Sequence, residues 1–527
     1  MRRFFSYGPV DKDLHYYVPR QELLDRACAQ LLGENSDKGG HYITVWAPRQ
    51  RGKTWVMQQV KQDILRRYSD QFAVFDFSLG RLRGENLFPP GESFPSALSR
   101  FLKGTLPGEP QVETWDAFYG LFSRDGGLWQ RPLILLIDEV DTLPTDLIDL
   151  IVAQFRELYL RRETNWLHGL ALIGVRAALG VDSSRGSPFN VQRDLHIPNL
   201  TFEEVDAMYR WYERESGQPV EQAVIDRVFY ETGGQPGLVS WLGELLTETY
   251  NKARDKPITL ENFEGAFAAA QDVLPNNNIL NIISKARQEP YKSFVLEMFQ
   301  TSEKIPFKYA DPRINFLYLN GVVDWEKAPH ARHYVKFSCP FVQRQLFDYF
   351  ALELFGEIRE LYPPFEDLAD TITEQSLNVG NLLSRYEEYL QKNRTWLFKD
   401  APRRADLRLY EAVYHFNFYR YLSSFLESHE GQVWPEFPTG NGEIDLIIKY
   451  AGDVYGLEVK SFTNQFEYRK ALRQAARYGQ SLRLAEVTLV LFVESVDDAN
   501  RARYEALYED EATGVTVRPV FVATGGE

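Results

Sequence analysis

The feature that most constrains the fold is a short apolar segment that runs through a glycine-containing loop into a helical stretch. Residues 42–46 read YITVW, residues 47–54 read APRQRGKT, and a stretch of helical periodicity covers residues 55–67. This order predicts a buried strand, a tight loop and a helix. The amide groups of such a loop and the N-terminus of the helix together form a binding site for phosphate oxygens.

Three residues at the end of this loop carry the expected phosphate chemistry. We expect Gly52 to let the backbone turn into the helix, Lys53 to reach the β- and γ-phosphates of ATP, and Thr54 to ligate Mg²⁺ through its hydroxyl. Ala47 stands where loops of this kind have their first glycine, which removes some backbone freedom but keeps the turn at Gly52. The segment therefore predicts a P-loop.

A second apolar run supplies the acids that such a loop needs. Residues 133–137 read LILLI and lead into Asp138 and Glu139. An uninterrupted apolar run is typical of a buried central strand in a parallel sheet, and ligands bind beyond the carboxyl ends of such strands. We expect Asp138 to hold the Mg²⁺ shell and Glu139 to orient the attacking water as general base. The alternative, that both acids only cap the following helix, is disfavoured because the two motifs occur together and in order.

The pattern of the whole chain indicates a multidomain α/β protein. Short β-branched runs alternate with helical segments over residues 1–190, which predicts a parallel sheet. Residues 200–275 look helical, residues 280–350 combine short helices with two strands, residues 351–400 look like a helical connector, and residues 401–527 form a second α/β unit. A chain of 527 residues has room for about three to five domains.

Composition restricts the partners and the compartment. The chain has 59 Lys and Arg against 74 Asp and Glu, a net charge of −15, which argues against a protein that coats polyanions but not against a local nucleic-acid groove. The two cysteines, Cys28 and Cys339, exclude a disulfide framework and a cysteine-rich zinc site and favour a reducing compartment. No apolar run is long enough for a signal core or a spanning helix, so we expect a cytoplasmic protein without a membrane partner.

The P-loop and the acidic strand end together resemble the AAA-like, STAND-type P-loop ATPases, especially the archaeal-ATPase-like group, over residues 10–345. The resemblance implies three further nucleotide contacts: Arg20 within YVPRQE, Arg176 at the end of the sensor strand reading the γ-phosphate, and Pro236 in a lid motif packing on the base. Arg176 has the alternative of an interdomain ion pair, and Pro236 that of a simple helix start.

A hairpin pattern near the C-terminus brings three charged residues together. Residues 440–460 read as a turn, a strand, a second turn and a returning strand. Asp445 lies seven residues before Gly452 and Glu458 lies six after it, so the hairpin places the two carboxylates nearly opposite each other. Lys460 shares the face of Glu458 because the two are two residues apart on a strand. Such oxygen ligands suit Mg²⁺ or Mn²⁺, and a neighbouring ammonium suits phosphodiester cleavage.

The spacing Asp-x12-Glu-x-Lys resembles the PD-(D/E)XK nuclease superfamily over residues 400–520. The resemblance implies that Glu411, on the preceding helix, is an extra metal ligand. It also implies that Gln474 and Tyr478, four residues apart on the following helix, form the Gln-x3-Tyr motif of the recombination-exonuclease-like and Holliday-resolvase-like branches. Ile444 departs from the family's proline. Without the helical residues, the same pattern would fit a solvated hairpin with an ion pair.

These patterns predict five domains and one combined function. The domains are a P-loop ATPase core (1–195), a helical lid (196–278), a winged-helix-like domain (279–350), a helical connector (351–400) and an α/β restriction-endonuclease-like domain (401–527). The leading hypothesis is an ATP-dependent or ATP-regulated, metal-dependent nuclease that cleaves DNA, with a role in prokaryotic defence by analogy with fused proteins of this kind. RNA stays an alternative substrate, and a homo-oligomer stays an alternative to a monomer. The competing hypothesis is a nucleotide-switched scaffold whose nuclease-like domain only binds nucleic acid or a partner.

Overall fold

The chain forms two compact units in the computed structural model. The first comprises Met1–Asn278 and Leu319–Gly321, and the second comprises Ile279–Tyr318 and Val322–Glu527. The residues described are 1–8, 10–35, 38–82, 112–143, 145–174, 193–300, 304–328, 332–402, 411–436, 444–462 and 464–525. The five-domain division expected from the sequence is finer than these two units and stays a prediction.

The described part of the first unit contains a sheet of five parallel strands, as the alternating pattern predicts. The strands are β1 (Tyr42–Trp46), β2 (Ala73–Ser78), β3 (Leu133–Asp138), β4 (Leu167–Gly174) and β5 (Arg193–His196). Their order is β2-β3-β4-β1-β5, and every pairing is parallel. Because β4 alone separates β1 from β3, the loop after β1 and the acids after β3 reach the same edge of the sheet.

Helices cover this sheet and continue beyond it. They are α1 (Gln21–Leu32), α2 (Lys53–Tyr68), α3 (Trp115–Phe122), α4 (Thr145–Leu160), α5 (Phe202–Ser216), α6 (Gln222–Thr232), α7 (Pro236–Glu244) and α8 (Leu260–Asp272). Apolar side chains of α3 and α4 pack on one face of the sheet, and those of α1 and α2 pack on the other. The α5 helix begins with a reciprocal capping box between Thr201 and Glu204, as its sequence predicts.

The second unit begins with short helices and a hairpin. The helices are α9 (Asn277–Ala286), α10 (Tyr291–Gln300), α11 (Pro312–Leu319) and α12 (Pro340–Phe355), and the hairpin joins β6 (Val323–Lys327) to β7 (His333–Phe337). A small hairpin of β8 (Ile372–Thr373) and β9 (Ser376–Leu377) follows, and then α13 (Val379–Leu397). The winged-helix-like character of this region stays a prediction.

A mixed sheet forms the centre of the second unit, and six strands belong to it within the described ranges. They are β10 (Gln432–Glu436), β11 (Ile444–Tyr450), β12 (Asp453–Ser461), β13 (Glu486–Val493), β14 (Tyr508–Glu509) and β15 (Thr516–Ala523), in the order β10-β11-β12-β13-β15-β14. The helices α14 (Glu411–Glu427), α15 (Gln465–Leu482) and α16 (Asp498–Tyr504) belong to the same stretch of the chain. The β11–β12 turn contains Ala451 and Gly452 at positive φ, which confirms the predicted hairpin.

The segment expected to be a connector contributes to the core of this unit. The ring of Tyr386, on α13, lies 4.8 Å from that of Phe418 and 6.3 Å from that of Phe492 on β13. Its hydroxyl donates to Asn417 Oδ1 at 3.1 Å. Aromatic residues at helical spacing thus bury α13 against the sheet. The prediction of a helical connector does not include this packing. Among the described residues, no helix combines the length and apolar composition needed to cross a bilayer.

Candidate functional site

The P-loop and the acidic strand end meet directly in the first unit. Thr54, at the start of α2, donates from Oγ1 to Asp138 Oδ2 at 2.6 Å, and the other carboxylate oxygen of Asp138 accepts from the backbone N–H of Glu139 at 2.7 Å. Burial raises the pKa of Asp138, and these two hydrogen bonds act in the opposite direction. A hydroxyl and a carboxylate side by side are the hard oxygen donors that Mg²⁺ prefers, so the residues fit this ion.

Lys53 lies within the loop with its ammonium group bound to backbone. Its Nζ donates to the carbonyl oxygens of Ala47 at 2.8 Å and Pro48 at 2.9 Å. Burial lowers the pKa of Lys53 to about 8, although the carboxylates of Asp141 and Asp138 act to raise it. The ammonium therefore gains a better electrostatic environment when phosphate oxygens replace the carbonyls.

Gly52 takes the backbone role that the sequence assigns to it. It precedes α2 with φ at 83°, in the left-handed region. Apart from its chain neighbours, no atom of the described residues lies within 4 Å of the place where a side chain would start, so the backbone conformation rather than lack of space favours glycine here.

Glu139 is held by the end of the neighbouring strand β2. Ser78 donates from Oγ to Glu139 Oε2 at 2.5 Å, and the same hydroxyl accepts from the N–H of Gly80 at 3.0 Å. A Cβ on Gly80 would lie 1.7 Å from Glu139 Oε2, so only glycine allows this approach. Sequence reasoning missed Ser78 and Gly80. The available signal was a small polar residue at the end of a strand-like segment.

The structure describes only some of the residues that the ATPase resemblance adds. The side chain of Arg20 is buried, and its Nη2 donates to the carbonyl oxygens of Pro198 and Asn199, both at 2.8 Å, where the chain leaves β5. Burial lowers the pKa of Arg20, and the carboxylate of Glu204, 3.8 Å away, acts to raise it. Arg176 lies outside the described residues.

Pro236 lies next to the P-loop in the fold. It is the first residue of α7, and the following Gly237 donates its N–H to the carbonyl of Gln50 in the loop at 3.2 Å. A Cβ on Gly237 would lie 2.4 Å from Gln50 Oε1, so the start of α7 contacts the loop closely. A role of Pro236 in nucleotide binding stays a prediction.

A row of charged residues crosses the sheet of the second unit. Asp445 on β11 and Glu458 on β12 are direct antiparallel partners, which confirms the predicted register. Direct partners project to the same face of a sheet. Asp445 is 0% exposed and Glu458 is 1% exposed, and Lys460 Nζ lies 2.9 Å from Glu458 Oε1. The sequence-predicted Asp, Glu and Lys therefore do share one face.

The burial of two carboxylates favours a cation at this place. Buried charges are costly unless opposite charges lie close to them, and the ammonium of Lys460 lies beside Glu458. Asp445 and Glu458 supply hard oxygen donors, so the pair fits Mg²⁺ or Mn²⁺. Across the described ranges, no group of three or more His, Cys, Asp or Glu side chains is arranged to hold a metal. The protein ligands available in this row are thus the two carboxylates.

A third acidic residue, Glu436, continues the row and was missed in the sequence. It ends β10, and its direct antiparallel partner is Asp445. Glu436 is half-buried. The strand was not predicted because Pro435 interrupts the β-pattern, and proline in a strand is confined to edges such as this one.

The helical residues of the nuclease resemblance flank the sheet. Tyr478 on α15 packs in an apolar cluster with Leu489 and Leu491, which are the β13 partners of Glu458 and Lys460. Tyr478 therefore lies on the face that carries the row. Gln474 lies one turn earlier on the same helix.

The other flanking helix, α14, begins at Glu411, whose side chain lies outside the described residues. One turn later, the ring of His415 lies 5.7 Å from that of Phe492. Burial, and to a lesser extent the charge of Lys460, lower the pKa of His415 to about 3. A neutral imidazole in this place suits packing, and a metal-binding role of Glu411 stays a prediction.

Comparisons with known proteins give remote similarities. No protein-family model matches the chain, and no curated protein matches its sequence. The Walker-type ATPase of Pyrococcus abyssi is 14% identical with a TM-score of 0.46, covering 65% of this chain and 99% of that one. The Orc1 protein of Aeropyrum pernix, solved with DNA, is 16% identical with a TM-score of 0.33, covering 64% and 95%. A RuvB variant of Thermotoga maritima is 14% identical with a TM-score of 0.33, covering 60% and 92%. At these values, what the chain does has to be argued from its own residues.

Proposed function

We propose that the first unit binds and hydrolyses ATP at the carboxyl edge of β1 and β3. The observation that supports this most is the 2.6 Å hydrogen bond between Thr54 and Asp138, beside the buried ammonium of Lys53. A strand–loop–helix segment, a lysine and an acid at the end of a buried strand are the parts that triphosphate binding needs.

The groups of this site divide the work of hydrolysis. Lys53 exchanges the carbonyls of Ala47 and Pro48 for phosphate oxygens. Thr54 and Asp138 would hold Mg²⁺, which neutralises charge on the phosphate oxygens when it is bound. Glu139 leaves Ser78 and accepts the proton of the attacking water at its carboxylate. Arg20, Arg176 and Pro236 are proposed as further nucleotide contacts.

We further propose that the row of the second unit cleaves phosphodiester bonds of DNA in the presence of Mg²⁺ or Mn²⁺. The supporting observation is the direct pairing of two almost fully buried carboxylates, Asp445 and Glu458, with Lys460 bound to one of them. A purely structural hairpin would gain more stability from apolar side chains in these places.

The chain's own groups then have separate tasks in cleavage. Asp445 and Glu458 would hold the cation, which activates a water and neutralises the phosphate when it is bound. Lys460 stabilises the negative charge that develops on the phosphate oxygens, because its ammonium is fixed by Glu458. Gln474 and Tyr478, from the same face, position the substrate. Glu411 is proposed as an additional ligand.

Combined, the two sites describe an ATP-regulated nuclease, with cleavage of foreign DNA as the proposed role. The test is a plasmid-degradation assay with Mg²⁺ or Mn²⁺, with and without ATP, on the wild type and on Lys460→Ala. Lys449→Ala is the matched control, because Lys449 is an exposed lysine on β11 whose ammonium lies over the Trp434 ring. We expect cleavage by the wild type and by the control, and none by Lys460→Ala.

The competing scaffold function makes the opposite prediction for this assay. If wild type and Lys460→Ala are equally inactive under every condition, the nuclease proposal is wrong and a binding role of the second unit is favoured. Parallel reactions with RNA distinguish the two nucleic acids. Loss of ATP turnover in Lys53→Ala tests the first site separately, because unchanged hydrolysis would remove the P-loop assignment.

A further inference from the structure

A cavity of about 750 Å³ lies at the carboxyl ends of β12, β13 and β15. Three aromatic rings line it, those of Phe462, Tyr504 and Phe521. The centre of the Phe462 ring lies 5.4 Å from that of Phe521 and 6.1 Å from that of Tyr504. The volume falls within the range of pockets that bind small ring systems, and the three aromatic rings suit a flat heterocycle.

The cavity lies on the face of the sheet that carries the row of charged residues. Phe462, just past the end of β12, packs against the apolar cluster of Leu489 and Leu491, which lies on that face. Lys460 pairs with Leu491, and Leu491 pairs with Phe521, so the three form one line across β12, β13 and β15. At ordinary strand dimensions, Phe462 is about 7 Å beyond Lys460 along the strand, and Phe521 is about 10 Å across from Lys460. The cavity is thus within reach of the nucleotide next to a phosphate held by Lys460.

The rim of the cavity carries amide side chains rather than cations. Asn464 uses its carbonyl oxygen to cap α15, so its amide NH₂ is what it offers a ligand. Gln465 donates to the Tyr504 hydroxyl at 2.6 Å, and Asn500 donates to Asp497 Oδ2 at 3.1 Å, so each of these amides offers its carbonyl oxygen. The carboxylate of Asp497 and the hydroxyl of Ser495 also belong to the polar lining, and no Lys or Arg is among the lining residues that the structure describes. The rim therefore suits a neutral heterocycle with both donors and acceptors rather than a phosphate.

We propose that this cavity binds one nucleobase of the substrate strand, next to the phosphodiester bond that is cleaved. The proposal rests on the proposed function of the second unit and deepens it. Stacking on aromatic rings is tolerant of base identity, whereas the amide rim adds hydrogen bonds to the base edge. A base can enter such a cavity only when it is unpaired and unstacked. The substrate class is therefore single-stranded nucleic acid, or a duplex from which one base can be extruded.

The experiment measures binding without cleavage. The full chain, with Ca²⁺ in place of Mg²⁺, is titrated with single-stranded DNA oligonucleotides that carry one abasic nucleotide, moved one position at a time along the strand. The variants are Tyr504→Ala, Tyr504→Phe as the conservative change, and Tyr508→Ala as a matched loss of a tyrosine on β14. A second arm uses RNA of the same sequence.

We expect one abasic position to weaken binding by the wild type about tenfold, as for the loss of one stacked base. Tyr504→Ala should weaken binding of the intact strand to the same extent and have little further effect on the strand that lacks that base, because both changes remove one contact. Tyr504→Phe and Tyr508→Ala should bind as the wild type does.

The results separate failure of the cavity from failure of the proposed function. If the protein cleaves DNA in Mg²⁺ but binds all abasic strands equally well, and Tyr504→Ala shows no coupling to any abasic position, the base-binding proposal is wrong and the nuclease proposal is retained. If the effects of Tyr504→Ala and the abasic position are coupled but no DNA is cleaved, the base-binding proposal is supported and the nuclease proposal is wrong. Additive losses from Tyr504→Ala and the abasic position would show that the base lies elsewhere.

Discussion

The nucleotide site of the first unit and the charged row of the second unit hold their polar groups in different ways. In the nucleotide site, the groups bond to one another: Lys53 to loop carbonyls, Thr54 to Asp138, and Glu139 to Ser78. Under the proposed ATPase function, each of these hydrogen bonds has to be exchanged before ATP, its metal ion and the attacking water occupy their places. The side chains of the nucleotide site therefore exchange their hydrogen-bond partners when ligands bind.

The charged row, in contrast, is placed by backbone pairing. Asp445 and Glu458 are neighbours because β11 and β12 pair residue by residue, and both are buried. Backbone hydrogen bonds fix this geometry before any ligand arrives, which is the preorganisation that charge stabilisation requires. The comparison teaches that mutations in the row should affect cleavage without shifting a balance between two sets of hydrogen-bond partners, whereas mutations around the P-loop should shift such a balance.

The largest expected effect is that of Asp445→Asn on cleavage. The amide keeps the shape but loses the charge that binds the cation, so we expect cleavage to fall on the order of a thousandfold or more. ATP turnover should be nearly unchanged. Asp453→Asn, at the other end of the hairpin on an exposed residue, is the control and should cleave normally. An equal loss in both activities for Asp445→Asn would show that the two sites are not independent.

A smaller loss of cleavage is expected for Glu436→Gln. Glu436 pairs with Asp445 on the outer strand, so it can orient Asp445 or a metal-bound water without being a principal ligand. Such outer groups contribute about ten- to a hundredfold to metal affinity or activity. The required Mn²⁺ concentration should rise while cleavage at saturating Mn²⁺ largely recovers. Full activity at every Mn²⁺ concentration would limit the row to Asp445, Glu458 and Lys460.

ATP binding should weaken as the pH increases above about 8. Burial lowers the pKa of Lys53 to about 8, so the ammonium of the free protein loses its proton there instead of near 10.5. Bound phosphate favours the charged form, so binding takes up a proton, and affinity falls by up to about tenfold per pH unit above this pKa. Lys53→Arg should bind more weakly but without this pH dependence. Titrations with a fluorescent ATP analogue from pH 7 to 9.5 measure the ATP affinity of both proteins. A wild-type affinity that does not change with pH would contradict the account.

The smallest effect is expected for Ser78→Ala. Removing the hydroxyl that binds Glu139 frees this carboxylate for the attacking water at the cost of one hydrogen bond, about 1 kcal/mol. Basal ATP turnover should therefore increase about threefold to fivefold, with the KM for ATP unchanged. A decrease in turnover would mean that Ser78 positions Glu139 for catalysis instead of retaining it.

Local patterns predicted much of both sites. The P-loop follows from one continuous segment, and Thr54 and Asp138 could be paired because the two motifs fix which strands they end. The match of Asp445 with Glu458 followed from counting residues on either side of a two-residue turn, since a short hairpin sets its own register. In these cases the paired residues are close in sequence, or they belong to a motif with a characteristic order of residues.

The residues that were missed depend on which strands become neighbours. Ser78 reaches Glu139 only because β2 pairs with β3, and Glu436 joins the row only because β10 pairs with β11. Sheet order is decided by long-range packing, which local periodicity does not encode. The same holds for Tyr386, whose helix reads as a connector until the aromatic cluster that buries it is known.

The most direct test of the central claim is a calorimetric titration of Mn²⁺ into the nucleotide-free chain, comparing wild type with Asp445→Asn. The account predicts that the wild type binds one Mn²⁺ ion that Asp445→Asn does not bind, while both variants respond alike at the P-loop when ATP is added. Identical Mn²⁺ isotherms for the two proteins would contradict the claim that the paired carboxylates hold the catalytic cation.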